Sequence, residues 1–132
     1  MDKSSSLRTP IKRARGLGAA HSGTHHFWLQ RVSAVALVPL SIWFMIQLVG
    51  NLIGGDVALI THWLSDPLRA LLLAAFIIAM FMHARLGVQV IIEDYVHFEG
   101  KKIFCLLLLN ALIYGFGAAA LMGIMRLHFF GI

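Results

Sequence analysis

The chain has 132 residues, of which 59% are hydrophobic and only 13% charged, with a formal net charge of +5. A soluble domain of this length exposes far more polar surface, so the composition excludes an ordinary globular fold and indicates a small polytopic membrane protein. The positive balance does not indicate nucleic acid, because the basic residues mostly precede the first apolar run and are not interleaved with aromatics on a folded face.

In chain order, residues 1–31 form a polar, basic tail. Ser4, Ser5 and Ser6 lead to Arg8, Lys12, Arg13 and Arg15, and then to Gly16, Gly18 and Gly23. Neither helical nor strand periodicity holds there, so the tail is expected to be irregular or only locally helical. Its Arg/Ser-rich, acid-poor character is also that of an organelle transit peptide. The expectation adopted is a retained tail on the membrane surface.

The first span is expected from about Val32 to Ile53, long enough to cross a hydrocarbon core that needs roughly 20 residues. Pro39 inside it should bend the helix, which neighbouring helices make tolerable. Trp28 and Trp63 flank the span as expected interfacial anchors. Residues 54–66 make a short polar loop, after which Asp66 and Pro67 have the residue types of a helix cap and first turn. The second span covers about Leu68 to Ile92. A second loop follows, about Glu93 to Lys102, with Gly100 as its break. The third span is about Ile103 to Met125, and Gly115, Ala119 and Gly123 place small residues along one of its faces, a packing signal. Cys105, the single cysteine, lies in this span, so no disulfide or Cys-based metal site arises from the chain alone. It is expected to act as a small buried hydrophobe. There are no internal repeats.

The fold class is thus an all-α membrane protein of three transmembrane helices. Lys3, Arg8, Lys12, Arg13, Arg15 and Arg31 precede span one, Lys101 and Lys102 lie in the second loop, and the first loop has no Lys or Arg before Arg69. The positive-inside rule then puts the N-terminus in the cytoplasm and the C-terminus outside, with Arg126 outvoted. On this topology Arg31, Asp94 and Tyr95 all lie on the cytoplasmic side and are expected at similar depth.

The stretch from Phe81 to His97 holds the chemistry. His83 sits where a lipid-spanning helix tolerates few ionisable groups, which makes it a functional candidate. It is either a histidine hydrogen-bonded to a neighbouring helix or an axial haem ligand, since a neutral imidazole in a low-dielectric bundle suits a b-type haem. No second histidine lies at matching depth in another span, so a bis-histidine site needs a partner subunit. Three helices are also few to enclose a cofactor, which again implies a hetero-oligomeric bundle. Arg31 is either a topology determinant that snorkels to phosphate or a guanidinium fork for a haem propionate. Arg85 lies about 200° around the helix from His83, cannot share its face, and is expected to snorkel or to meet a partner subunit. Asp94 and Tyr95 lie at the membrane boundary, on the order of 18 Å from His83 along the helix. They are either interfacial anchors or a quinone site, in which a phenol donates to a quinone carbonyl and a carboxylate helps deliver protons.

The run His83-Ala-Arg-Leu-Gly87-Val-Gln89-Val-Ile-Ile-Glu-Asp94-Tyr95-Val-His97 resembles the second-helix signature of the small cytochrome b anchor subunit of succinate dehydrogenase, complex II. The upstream Gly23-Thr-His25-His26-Phe27-Trp-Leu-Gln-Arg31-Val-Ser33-Ala is similar to that family's entry into its first helix, and the likeness extends from about Gly16 to the end. The resemblance implies a four-subunit enzyme. A flavoprotein subunit oxidises succinate, and an iron–sulfur subunit passes electrons to ubiquinone at the membrane boundary. A second cytochrome b anchor subunit completes the membrane part. Carried over by position, His83 is the axial ligand of haem b, with the opposite histidine supplied by the second anchor. Arg31 and His25 contact a haem propionate, Tyr95 hydrogen-bonds ubiquinone, and Asp94 lies beside it; nothing carries over to Arg85. The subunit would have no succinate-oxidising site of its own. The style of the sequence places it in a bacterial inner membrane, ahead of the mitochondrial one. The alternatives are an anchor of fumarate reductase or another quinone oxidoreductase, a purely structural anchor, and a small proton-coupled transporter using His83 and Arg85.

Overall fold

A computed structural model describes residues 19–131; residues 1–18 of the basic tail lie outside the described residues. Four α-helices follow one another: α1 (Ala19–Gln47), α2 (Val57–Leu64), α3 (Pro67–Tyr95) and α4 (Glu99–Phe130). Three segments of 30, 29 and 32 residues, Gly23–Leu52, Pro67–Tyr95 and Glu99–Phe130, are long and apolar enough to cross a membrane. At about 1.5 Å per residue each exceeds the roughly 30 Å hydrocarbon core, so their ends extend into the headgroup layers.

Helix α1 begins well before the expected start of span one. Residues 19–31, expected to be irregular, form its first turns, and the helix runs on through Pro39. Continuity with the apolar run stabilises these polar turns despite Gly23, since helix propagation adds a hydrogen bond for each residue ordered. At its far end α1 widens into a π-helical turn, Leu48–Leu52, closed by the Ile53 N–H donating to the Leu48 carbonyl at 2.8 Å. Gly54, at φ +80°, then reverses the chain, a backbone state that costs glycine nothing.

The first loop is partly helical. Asp56 caps α2 by accepting from the Leu59 N–H at 2.9 Å. Asp66 caps α3 as expected, accepting from the Leu68 N–H at 2.9 Å with Pro67 in the first turn. The second loop shrinks to residues 96–98, so Lys101 and Lys102 lie in the first turn of α4.

Helix α3 is the centre of the layer, packed against α1 on one side and α4 on the other. Ser33 pairs with His83 and Phe44 stacks on Phe76 at 4.9 Å, so α1 and α3 run antiparallel. Arg85 pairs with Asn110 and Phe81 lies against Gly117, which makes α3 and α4 antiparallel too. Helix α2 closes one end of this layer. There Trp63 (4% exposed), Leu64 (2%), Ala70 and Ile124 form the core, joined by Trp43 and Leu52. Trp63 is therefore a core residue and not the lipid-facing anchor expected of it. Its indole N–H donates to Gln47 Oε1 at 3.0 Å and its ring lies 6.1 Å from that of Trp43. His128 on α4 donates from Nδ1 to the Leu64 carbonyl at 2.8 Å, tying the end of α4 to α2. Gly115 and Ala119, expected to pack a helix, remain exposed; no helix among the described residues covers them.

Candidate functional site

His83 lies near the middle of α3, facing α1. Its Nδ1 is 3.1 Å from Ser33 Oγ, and the same Oγ is 2.9 Å from the Gln30 carbonyl oxygen one turn earlier on α1. A carbonyl only accepts, so the single hydroxyl proton of Ser33 goes to Gln30. The lone pairs of Oγ then receive the Nδ1–H of His83. That leaves Nε2 as the unprotonated nitrogen, the form in which an imidazole binds a metal. Nε2 has no hydrogen-bond partner among the described residues, and among these no buried side-chain nitrogen or oxygen lacks one. Nε2 therefore opens onto the surface of the chain and is not sealed within it. The sequence marked His83 but gave Ser33 no role; a contact between residues 50 positions apart leaves no local signal.

Arg85 has a partner within the chain, contrary to the expectation of snorkelling or of a partner subunit. Its Nε donates to Asn110 Oδ1 at 2.8 Å, and its guanidinium lies 5.4 Å from the centre of the Tyr114 ring. It thus joins α3 to α4, on the side away from His83, as the 200° separation requires.

Arg31 does not lie at the boundary beside Asp94 and Tyr95. Because α1 starts at Ala19, Arg31 is well inside the helix, two residues from Ser33 and so close to the level of His83. It is on the order of 15 Å deeper than Tyr95. Its guanidinium lies over the Phe27 ring, 4.7 Å from the centroid, on a side of α1 well away from Ser33. His25 is exposed, nearer the Tyr95 end of the bundle.

At that end Tyr95 is 79% exposed and Asp94 is exposed. The Tyr95 carbonyl accepts from Nδ1 of His97 at 3.1 Å. Between this end and His83, a groove of about 480 Å³ separates α1 from α3, lined by His26, Phe27, Gln30, Gln89, Val90 and Glu93. The Gln89 amide donates to Glu93 Oε1 at 2.8 Å within it. Its polar lining was not anticipated, although His26, Gln30, Gln89 and Glu93 recur at helical spacing on the two facing helices. Among the described residues no group of three or more His, Cys, Asp or Glu is placed to hold a metal ion.

The family model for the succinate dehydrogenase/fumarate reductase transmembrane subunit matches residues 5–125. The chain belongs to this family. The succinate dehydrogenase hydrophobic membrane anchor subunit of Paracoccus denitrificans is 42% identical over 92 residues, covering 70% of this chain and 69% of the relative. That of Rickettsia bellii is 39% identical over 90 residues, covering 68% and 71%. The succinate dehydrogenase membrane anchor subunit of Reclinomonas americana is 32% identical over 102 residues, covering 69% and 78%. No solved structure matches the chain significantly. The anchor is a multi-pass inner-membrane protein and a subunit of succinate dehydrogenase, an oxidoreductase complex. That role entails association with the other subunits of the complex and with the membrane. Membership in this cytochrome b-type family is consistent with haem b and quinone.

Proposed function

We propose that this anchor supplies one axial ligand of a shared haem b and part of the site where ubiquinone takes electrons from the iron–sulfur subunit. The observation that carries the reading is the Ser33–His83 contact: it protonates Nδ1 and leaves Nε2 basic and open at the chain surface. The residues fit a haem on that donor chemistry. His83 would hold the iron from this side, and a histidine of the second anchor subunit from the other. Arg31, close to the level of His83, and more distantly His25 would hold a propionate carboxylate through charge-assisted hydrogen bonds. When bound, the haem supplies a one-electron redox centre within the bundle.

At the boundary, reduction of a quinone to a quinol consumes two electrons and two protons. The electrons come from the iron–sulfur subunit, after the flavoprotein subunit has oxidised succinate. Tyr95 would donate its phenolic hydrogen bond to a quinone carbonyl oxygen, which stabilises the negative charge that develops there. Asp94, exposed next to it, would relay protons from the cytoplasmic face. This assignment places the N-terminus in the cytoplasm, the C-terminus outside, and succinate oxidation wholly on the flavoprotein; residues 19–31 of the expected tail belong to α1, with Arg31 close to the level of His83.

A second reading, an anchor of fumarate reductase running the reaction in reverse, is supported by the family description, which covers both enzymes. A transporter relay through His83 and Arg85 is disfavoured, because the two residues bond to different helices on opposite sides of α3. Purification through a tag on this chain tests the proposal. Flavoprotein and iron–sulfur polypeptides should co-purify, and the preparation should reduce ubiquinone with succinate and show a b-type spectrum. A complex with no b-type haem, or one unable to reduce quinone, would overturn it.

A further inference from the structure

We propose that Ser33 is a positioning residue for haem ligation: it holds the His83 imidazole in its Nδ1–H tautomer and strengthens Nε2 as a base. The inference rests on the reading of His83 as a haem ligand and adds a residue to it. Ser33 is 6% exposed and is the only buried polar residue among the described ones. Burying a hydroxyl in an apolar helix contact is unfavourable unless it is hydrogen-bonded, and Ser33 is bonded on both sides. Its proton is committed to the Gln30 carbonyl, which α1 holds rigidly, so its oxygen can only accept from His83. A donor that is itself polarised by a carbonyl is a better acceptor, so the carbonyl, hydroxyl and imidazole form a short cooperative chain.

Two consequences follow for a ligand imidazole. Without Ser33 the ring can place its proton on Nε2, and that tautomer has no lone pair on Nε2 to offer iron. Donation from Nδ1–H also raises the basicity of Nε2, as carboxylate and carbonyl partners do for metal-bound histidines, where their loss typically costs 10–100-fold in affinity. A more basic ligand favours ferric over ferrous iron. A contact that only fastened α1 to α3 would affect assembly and leave the redox potential unchanged.

The experiment uses the whole complex with Ser33→Thr, Ser33→Val and Ser33→Ala, and with His83→Ala as the control. Thr and Val have the same shape and differ in the hydroxyl. Haem per flavin, the haem midpoint potential and the low-spin ferric spectrum by electron paramagnetic resonance are measured in each. Ser33→Thr should match the unaltered complex. Ser33→Val and Ser33→Ala should lose haem more readily and show a raised potential; a tenfold loss of ferric preference corresponds to about 59 mV for one electron. If Ser33→Val or Ser33→Ala assembles with unchanged potential and ferric spectrum while His83→Ala alters the haem, the role of Ser33 falls and the ligand reading stands. If both fail to assemble while Ser33→Thr assembles, Ser33 is a packing residue and the proposal is overturned. If His83→Ala leaves the haem spectrum unchanged, both readings fall together.

Discussion

The two ends of the helical layer are built differently. At the α2 end every helix converges: Trp63 and Leu64 from α2, Ala70 from α3 and Ile124 from α4 are buried together, with Trp43 and Leu52 packed on them from the first span. Polar groups there are also satisfied within the chain, the Trp63 indole by Gln47 and the Leu64 carbonyl by His128. At the Tyr95 end no short helix closes the layer among the described residues. A polar groove opens between α1 and α3, and Asp94, Tyr95 and His25 are exposed. Among the described residues the core is complete at one end, and the other end keeps an open polar groove. Within a membrane this division is informative, because lipid supplies no hydrophobic drive to close a gap between helices and an open polar groove needs protein or water.

If the two ends do separate jobs, substitutions at one should move stability and at the other redox behaviour. The largest expected effect is at the closed end. Trp63→Ala removes the central ring of the core and should cost about 3–5 kcal/mol, read as a lower melting temperature of the purified complex, with haem per assembled complex unchanged. Next is Arg31→Ala, which removes the charge-assisted contact proposed with a haem propionate, worth about 1.5–3 kcal/mol. It should loosen haem by roughly 10–100-fold and leave the melting temperature of the α2 end unaltered; equal haem retention would confine Arg31 to membrane topology. Tyr95→Phe removes the hydrogen bond proposed with the quinone, about 1.4 kcal/mol, so succinate–ubiquinone activity should fall about tenfold while dye reduction by the assembled complex is unchanged. Equal quinone rates would exclude a major role for the phenol. The smallest effect is Asp66→Ala, the loss of a helix cap worth about 1 kcal/mol, which should lower stability slightly with no change in quinone rate or haem potential.

The closed end and the open end were not equally legible. The three spans were evident because apolar runs longer than 20 residues have few alternatives, and the Asp66–Pro67 start of α3 carried its own signal. The early start of α1 was hidden, since Gly23, His25 and His26 interrupt any apolar period and only continuity with the following helix stabilises those turns. That displaced Arg31 from the boundary to a level close to His83. Helix α2 reads as loop in the sequence because it has eight residues between two turn clusters, although Asp56 ahead of an apolar run is a capping signal. At the candidate site, His83, Asp94 and Tyr95 stood out by residue type and depth. Ser33 and Asn110 did not, because their partners lie 50 and 25 positions away and only packing joins them.

The central claim is that the His83 imidazole, presented by α3 and oriented by α1, binds haem iron. Its most direct test is the reduced-minus-oxidised spectrum of the complex purified with His83→Ala. The account predicts that the b-type band is lost or displaced while flavin and iron–sulfur content remain at their normal ratio. A band of unchanged position and intensity would contradict it.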